Sequence, residues 1–236
     1  MNGLKVIRRV VLLAGVGAAA AVGAQDETCP VNPNVRGHEN IEWSIGYAFH
    51  LTDANKDLPR VLLVGDSICN GYQGEVQRLL NGRMNVSYWV SSYCVTSPGY
   101  LRLLAFYLDE AKYDVIHFNN GLHSLGTPTA AYAAGLEQAL KLMREKQPQA
   151  MLILATSTPL KDSARTEKAR ELNAAGRAVI TRLGNIATDD LFALLDPLDR
   201  ATNWSDVFHH KKNVQDLTAR EFVKSVCPEA ACGTAP

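Results

Sequence analysis

Apolar runs of strand length alternate with helical segments over most of the chain, from residue 60 onward. The first run is Val61–Val64, and four more follow at 85–90, 115–118, 151–155 and 186–188. Helical spacing of apolar residues marks five other segments, at 71–80, 100–111, 127–146, 167–183 and 212–226. Continuous apolar runs are typical of strands buried on both faces, and their alternation with helices predicts a parallel sheet between two helical layers. The pattern therefore predicts an α/β fold, a three-layer α/β/α sandwich around a central parallel sheet of about five strands.

The first 24 residues have the composition of an export signal. Lys5, Arg8 and Arg9 precede an apolar run at 10–21, and small residues follow at 22–24. A membrane anchor is the alternative, but the run is shorter than the roughly 20 apolar residues that a spanning helix needs. We therefore predict a signal peptide at 1–24, a secreted or periplasmic protein, and no stable membrane anchor after cleavage. Residues 25–59 show no clear period and are predicted to form an amino-terminal arm packed on a domain at 60–236.

The charge distribution argues against nucleic acid as a partner. Lys and Arg together number 24, Asp and Glu also number 24, and no block of like charges appears along the chain. Nucleic-acid-binding surfaces carry clustered basic residues, so we expect no such partner here.

Five cysteines, at 29, 69, 94, 227 and 232, become available for disulfides if the chain is exported. Because their number is odd, at least one is unpaired or pairs between chains. Cys69 and Cys94 follow the first and second predicted strands, which are neighbours in a sheet of this type, so we expect a bridge between them. Cys29 would then pair with Cys227 or Cys232. The alternative is that all five thiols are free.

Gly65-Asp66-Ser67 directly follows the first buried strand. A serine on a strand-to-helix turn presents its hydroxyl outward, near the positive end of the following helix, where a developing anion is favoured. The Gly-x-Ser-x-Gly elbow of ordinary α/β-hydrolases is absent, because Cys69 stands where its second Gly would be. Ser67 is thus a candidate nucleophile, and a simple helix-capping turn is the alternative.

Asp206 and His209 lie three positions apart, just before the last predicted helix. This spacing lets the carboxylate hold one imidazole nitrogen while the other faces outward. A serine hydroxyl needs a base to take its proton, and that base must be kept in the right tautomer. We therefore predict a catalytic triad of Ser67, His209 and Asp206, with His209 favoured over its neighbour His210. The alternative is a surface helix-cap pair.

A third polar cluster, His117–Ser124, follows the third predicted strand. Amide and imidazole donors at a strand end suit the stabilisation of an oxyanion, although an Asx-rich turn has the same composition. Open parallel sheets bind ligands beyond the carboxyl ends of their strands. All three polar clusters fall at strand or loop ends of this kind, which indicates one active site.

In these blocks the sequence resembles the SGNH hydrolase superfamily of GDSL-like lipases and esterases. Gly65-Asp66-Ser67 and Asp206-Val207-Phe208-His209 match its first and last motifs, and the likeness spans residues 60–226. The Asn-Asn-Gly-Leu-His at 119–123 is similar to a bacterial branch with many carbohydrate-linked esterases. The resemblance implies the flavodoxin-like SGNH hydrolase fold, acyl transfer from an ester to water, and no metal or organic cofactor.

Two departures from the SGNH pattern concern the oxyanion hole. The Gly-x-Asn-Asp motif of the superfamily aligns with Gly121–Ser124, so His123 stands where the oxyanion Asn is expected. The Gly expected after the second strand is replaced by Ser-Ser-Tyr-Cys at 91–94. The resemblance then implies an oxyanion hole made by the N–H groups of Ser67 and Ser92 and the side chain of Asn120 or His123.

The substrate implied by the resemblance is a small-molecule or glycan ester. No long apolar lid segment is evident, which favours short acyl esters, chiefly acetyl, over lipids. We assign Asp66, Asn119 and Trp204 to substrate binding, and Trp43 and Trp89 are further candidates for stacking on sugar rings.

Other functions would fit the same motifs. A thioesterase, a lysophospholipase or an arylesterase would use the same triad, and a non-catalytic relative would bind glycan without hydrolysing it. A metal-dependent hydrolase built on Asp66, His123, His209 and His210 is disfavoured, because no His-Glu-x-x-His spacing is present.

Overall fold

A six-stranded sheet forms the centre of the fold in the computed structural model, which describes residues 42–49, 51–52 and 55–227. The strands are β1 (Ser44–Tyr47), β2 (Arg60–Gly65), β3 (Asn85–Ser91), β4 (Val115–Phe118), β5 (Met151–Ala155) and β6 (Ala187–Asp189). Their order across the sheet is β1-β3-β2-β4-β5-β6. The strands β2 to β6 run parallel, whereas β1 pairs antiparallel with β3 at the edge. The predicted parallel sheet of five strands is confirmed, and β1 is a strand that the sequence pattern did not predict.

Seven α-helices connect or follow the described strands. They are α1 (Ser67–Leu80), α2 (Tyr100–Asp109), α3 (Thr129–Lys146), α4 (Ser163–Leu183), α5 (Leu191–Leu195), α6 (Arg200–Asn203) and α7 (Lys212–Val226), and a 3₁₀ turn spans Leu122–Ser124. The helices α1 and α7 pack together on one face of the sheet, and α2, α3 and α4 pack on the other. The predicted three-layer sandwich is therefore confirmed.

The strand β2 shows why its sequence is continuously apolar. Val61 and Leu63 belong to the core cluster beneath α1 and α7, and Leu62 and Val64 belong to the cluster beneath α2, α3 and α4. All four side chains are buried. Because successive side chains of a strand point to opposite faces, each of these four positions in β2 faces one helical layer and is filled by an apolar side chain. In β2, polar residues consequently appear only where the strand ends.

The predicted disulfide between Cys69 and Cys94 is wrong. The Cys69 side chain lies in the core cluster beneath α1 and α7, where a Cβ added at Gly65 would approach its Cβ to 2.4 Å. The Cys94 Sγ instead contacts hydroxyls of its own loop, 3.1 Å from Thr96 Oγ1 and 3.4 Å from Ser97 Oγ. The chain thus places the two thiols in different environments although their strands are neighbours.

Several predictions made at the ends of the chain lie outside the described residues. These are the signal peptide at 1–24, most of the arm before residue 42, and the pairing of Cys29 with Cys227 or Cys232. The part of the arm at 42–49 contributes β1 and so packs on the domain. None of the helices within the described ranges is long and apolar enough to cross a membrane.

Candidate active site

Ser67 is the first residue of α1 and directly follows β2. Asp66 caps the helix, since its Oδ1 accepts a hydrogen bond of 2.9 Å from the Ile68 N–H. This cap starts the helix four residues earlier than the predicted Gly71. Gly65 lets α1 turn sharply away from β2, because Cys69 already occupies the space that a side chain there would need. The Ser67 hydroxyl is thereby held at the positive end of a helix of 14 residues.

Ser67, His209 and Asp206 form one hydrogen-bonded chain. The Ser67 Oγ lies 2.8 Å from His209 Nε2, and His209 Nδ1 lies 2.8 Å from Asp206 Oδ2. The serine is 142 residues away from the histidine in sequence, so the fold itself makes this contact. A base that holds a serine hydroxyl with one nitrogen and a carboxylate with the other is the arrangement of a nucleophilic triad.

A short loop holds Asp206 and His209 in this geometry. Its base is a bridge between Trp204 and His210, and the Ser205 N–H donates to the His209 carbonyl at 2.9 Å. Within the loop, Asp206 Oδ1 accepts from the N–H groups of Phe208 and His209 at 2.7 and 2.8 Å. Asp206 therefore uses one oxygen to shape the loop and the other to orient the imidazole.

The charge of Asp206 is favoured by the same contacts. Partial desolvation would raise the pKa of this carboxyl, but the hydrogen bonds from the backbone and ring of His209 and from the Phe208 N–H outweigh it. Their combined effect lowers the pKa of Asp206 to about 2. The carboxylate is thus ionised at neutral pH and can accept a proton-bearing ring nitrogen as its partner.

Asn120 does not reach the site, and its predicted oxyanion role is wrong. Its side chain is 1% exposed and joins the loop after β4 to the loop after β3. The Nδ2 donates to the Tyr93 carbonyl at 2.8 Å, and Oδ1 accepts from the Val95 N–H at 2.8 Å and from the Ser124 hydroxyl at 3.1 Å. The amide is thus engaged with these two loops and not with the cleft.

The N–H of Ser92 is also engaged elsewhere. It donates to the Trp43 carbonyl at 3.0 Å, and the Ser92 hydroxyl accepts from the Trp43 N–H at 2.8 Å. This pair of bonds extends the β1–β3 ladder beyond the strands. The predicted oxyanion role of the Ser92 N–H is therefore wrong, because a strand absent from the sequence prediction uses that donor.

Of the two side chains proposed for the oxyanion hole, His123 is the one in the cleft. It lines an open cleft that also contains Ser67, His209 and Trp43, and its ring meets Trp43 edge-on with centroids 6.3 Å apart. His117, from the same polar cluster, is instead fully buried, with Nε2 2.9 Å from Asp189 Oδ2. The cluster thus contains a hydrogen-bonded pair in the core, a residue that joins two loops and one residue at the site.

Two of the three residues assigned to substrate binding are structural. Trp204 is 1% exposed, its indole N–H donates to the Pro159 carbonyl at 3.2 Å, and Arg200 covers its ring at 4.8 Å. Asp66 is also 1% exposed, and its second oxygen accepts from the Leu122 N–H at 3.4 Å. Burial raises the pKa of Asp66 above its ordinary value, although His123 and the two N–H donors oppose this. The predicted substrate contacts of Trp204 and Asp66 are therefore wrong.

The third residue, Asn119, is held by the loop after β5. Its Nδ2 donates to the Ala155 carbonyl at 2.8 Å, and its Oδ1 accepts from the Gly121 N–H at 3.3 Å. A Cβ at Gly121 would lie 1.4 Å from the Ser157 hydroxyl oxygen, so only glycine fits between these loops. Asn119 lines a second, small pocket together with Asp66 and Ser157.

The histidines do not converge as ligands for a metal ion. Both ring nitrogens of His209 contact triad partners, and His210 is buried with its ring edge-on to Trp204 at 4.7 Å. Burial, the largest effect on it, lowers the pKa of His210 to about 4. No group of three or more His, Cys, Asp or Glu side chains in the described ranges could hold a metal ion.

Solved structures with the fold of SGNH hydrolases, which include GDSL-like lipases and carbohydrate esterases, are similar to this chain. No protein-family model and no curated protein matches the sequence. A GDSL-family lipolytic protein from Veillonella parvula is 17% identical, with a TM-score of 0.61 over 72% of this chain and 98% of that chain. An acetylxylan esterase from Geobacillus stearothermophilus is 18% identical, with a TM-score of 0.61 over 73% and 95%. A carbohydrate esterase of family 3 from Talaromyces cellulolyticus is 13% identical, with a TM-score of 0.58 over 75% and 100%. The predicted fold is thus confirmed.

Proposed function

We propose that this chain is a serine esterase that hydrolyses short acyl esters, chiefly acetyl esters of carbohydrates. The observation that carries the proposal is the continuous hydrogen-bonded chain from Ser67 through His209 to Asp206, with both links at 2.8 Å. Such a chain has a chemical use only where a serine hydroxyl must become a nucleophile. Two of the similar structures are an acetylxylan esterase and a carbohydrate esterase, which supports an acylated sugar as the substrate.

The proposed reaction begins when the Ser67 hydroxyl oxygen attacks the ester carbonyl and His209 Nε2 takes the hydroxyl proton. Asp206 keeps the His209 proton on Nδ1 and stabilises the imidazolium that forms. The negative oxygen of the tetrahedral intermediate is stabilised at the amino terminus of α1 by the Ser67 N–H, and by the His123 ring. His209 then protonates the leaving alcohol oxygen, and the acyl group remains on Ser67. Water, deprotonated by His209, releases the acid and restores the serine.

We also propose, from the composition of the first 24 residues, that the protein acts outside the cytoplasm. The signal-like segment at 1–24 favours export to the periplasm or the medium, where polysaccharide esters are found outside the membrane. The reaction needs no group beyond the side chains named above.

The test compares wild type with Ser67→Ala on 4-nitrophenyl acetate, butyrate and octanoate. Ser225→Ala, a serine at the end of α7 that bonds only the Phe222 carbonyl, is the matched control. We expect acetate to be the best substrate, a fall of at least about 10³-fold in Ser67→Ala, and no change in the control. Octanoate as the best substrate would indicate a lipase or thioesterase. Equal rates in wild type and Ser67→Ala would show that the triad is not catalytic and leave a glycan-binding module.

A further inference from the structure

Trp43 forms one wall of the cleft that contains the triad. It comes from the segment before β1, whereas Ser67 begins α1 and the other two triad residues come from the loop before α7. The cleft has a volume of about 930 Å³, within the range of roughly 300–1,000 Å³ typical of small-molecule sites. Phe208 of the triad loop and the first turns of α4 also line this cleft. A ligand bound at Ser67 therefore shares the cleft with an indole and these two elements.

The indole is held rigidly in this position. The Trp43 peptide is bonded on both sides to Ser92, by its N–H at 2.8 Å and by its carbonyl at 3.0 Å. One edge of the side chain packs against the core cluster beneath α1 and α7, and the His123 ring contacts it edge-on. The side chain is only partly buried, and it lines the cleft that contains Ser67. A preorganised aromatic surface binds at low entropic cost.

Trp43 is the tryptophan that remains for ligand contact within the described ranges. Trp89 and Trp204 are each 1% exposed, and both indole N–H groups are hydrogen-bonded inside the protein, to Ser44 and to Pro159. A flat apolar face pairs with the C–H face of a sugar ring, whose hydroxyls then point to the rim. The same cleft is also lined by charged side chains of α4 and its cap, namely Asp162, Arg165 and Lys168.

These charged groups also favour a sugar over a long acyl chain in this part of the cleft. Arg165 lies 3.9 Å from Asp162 and over the Phe208 ring at 5.6 Å, and Lys168 bonds Glu171. A hydrocarbon chain bound here would remove water from charged groups without replacing its hydrogen bonds. Sugar hydroxyls replace those bonds while the ring covers the indole.

We propose that Trp43 is a specificity-determining residue on which the sugar ring of the substrate stacks while its ester reaches Ser67. This inference rests on the proposed function and adds the contact that selects the alcohol part of the ester. If Trp43 binds the sugar ring, the enzyme should prefer an acetate of a sugar to an acetate of a simple alcohol.

The test measures kcat/KM by pH-stat titration for two acetates, ethyl acetate and acetylated methyl β-D-xylopyranoside. Ethyl acetate has no ring, and both substrates form the same acetyl-enzyme. We compare Trp43→Leu, which keeps apolar volume but loses the flat face, with Trp43→Phe, which keeps a ring. Tyr47→Ala is the matched control, because this aromatic residue lies on the same segment, is 44% exposed and stacks on Tyr88 away from the cleft.

We expect Trp43→Leu to lower the ratio of the two kcat/KM values, sugar ester over ethyl acetate, by about tenfold, mainly through KM. Trp43→Phe should keep most of the wild-type ratio, and Tyr47→Ala all of it. An equal loss on both substrates would overturn the proposal and leave Trp43 as a support for His123. An unchanged ratio in Trp43→Leu would overturn it as well.

Binding separates failure of this inference from failure of the proposed function. Calorimetric titration of the acetylated xyloside into Ser67→Ala, with and without Trp43→Leu, requires no catalysis. Weaker binding in the double variant supports the stacking contact even if wild type hydrolyses neither acetate. Equal binding in both proteins contradicts it.

Discussion

Replacing Asp206 with asparagine tests the triad at the atom level, because the two oxygens of this carboxylate have different partners. Its Oδ1 accepts two backbone N–H groups, from Phe208 and His209, and its Oδ2 accepts the His209 Nδ1 proton. Asparagine supplies only one oxygen. If that oxygen keeps the loop bonds, the amide NH₂ faces Nδ1, and the ring proton must move to Nε2. The nitrogen that faces Ser67 then has no lone pair with which to take its proton.

The size of the effect follows from the opposite orientation, in which the amide oxygen faces Nδ1. The active tautomer is then restored, but both backbone N–H groups face the NH₂ group and lose their acceptor. A hydrogen bond to a charged acceptor contributes about 1.5–3 kcal/mol, so this orientation costs roughly 3–6 kcal/mol. At 1.4 kcal/mol per factor of ten, the active form falls by about 10²–10⁴. The Asp206 side chain is 54% exposed, so water replaces part of the loss, and we expect a value in the lower half of that range.

The assay is hydrolysis of 4-nitrophenyl acetate at pH 7.5, with thermal unfolding followed in parallel. We expect Asp206→Asn to lower kcat by about 10²–10³ and to leave KM and the midpoint of unfolding almost unchanged. Asp199→Asn is the matched control, because Asp199 caps α6 through Thr202 and does not contact His209. A kcat within about fivefold of wild type in Asp206→Asn would refute the orienting role of this carboxylate.

Two further predictions concern side chains whose burial has been described. Asn120→Ala removes the acceptor of the buried Val95 N–H and should lower the free energy of unfolding in urea by roughly 2–4 kcal/mol. His123→Ala should instead lower kcat by about 10²–10³ with little loss of stability. A loss of kcat in Asn120→Ala together with a loss of stability in His123→Ala would return the oxyanion role to Asn120. Burial lowers the pKa of His210 to about 4, below the value near 6.5 in an unfolded chain. The contribution of this residue to the free energy of unfolding is therefore complete above pH 6.5 and is lost as the pH falls towards 4. The total loss is roughly 3 kcal/mol. His210→Gln should therefore weaken the pH dependence of urea unfolding between pH 7.5 and 4, and equal pH dependence in both proteins would contradict this.

The sheet and the contact between Asp206 and His209 were predictable because their signals are local in sequence. The run Val61–Val64 is apolar at every position since each residue faces one of two helical layers, and that pattern indicates a central parallel strand directly. Asp206 and His209 are three residues apart, so their contact depends only on one turn of loop. Ser67 is distant from both in sequence, but its position after a buried parallel strand places it at the carboxyl end of the sheet, where such folds bind ligands.

The oxyanion hole was not predictable, because it depends on which polar groups are already satisfied. The sequence places Asn120 and Ser92 at the right strand ends, yet Val95 and Tyr93 use the amide of Asn120, and the Trp43 carbonyl uses the N–H of Ser92. The identity of a residue does not show whether its backbone N–H is already hydrogen-bonded to another part of the chain. The strand β1 is only four residues long and all four are exposed, so its sequence has no apolar period from which a strand could be predicted. The same short strand that removes the Ser92 donor also brings Trp43 into the cleft. One unpredicted pairing therefore affects both the proposed oxyanion hole and the proposed sugar contact, and the His123 and Trp43 variants test these two proposals separately.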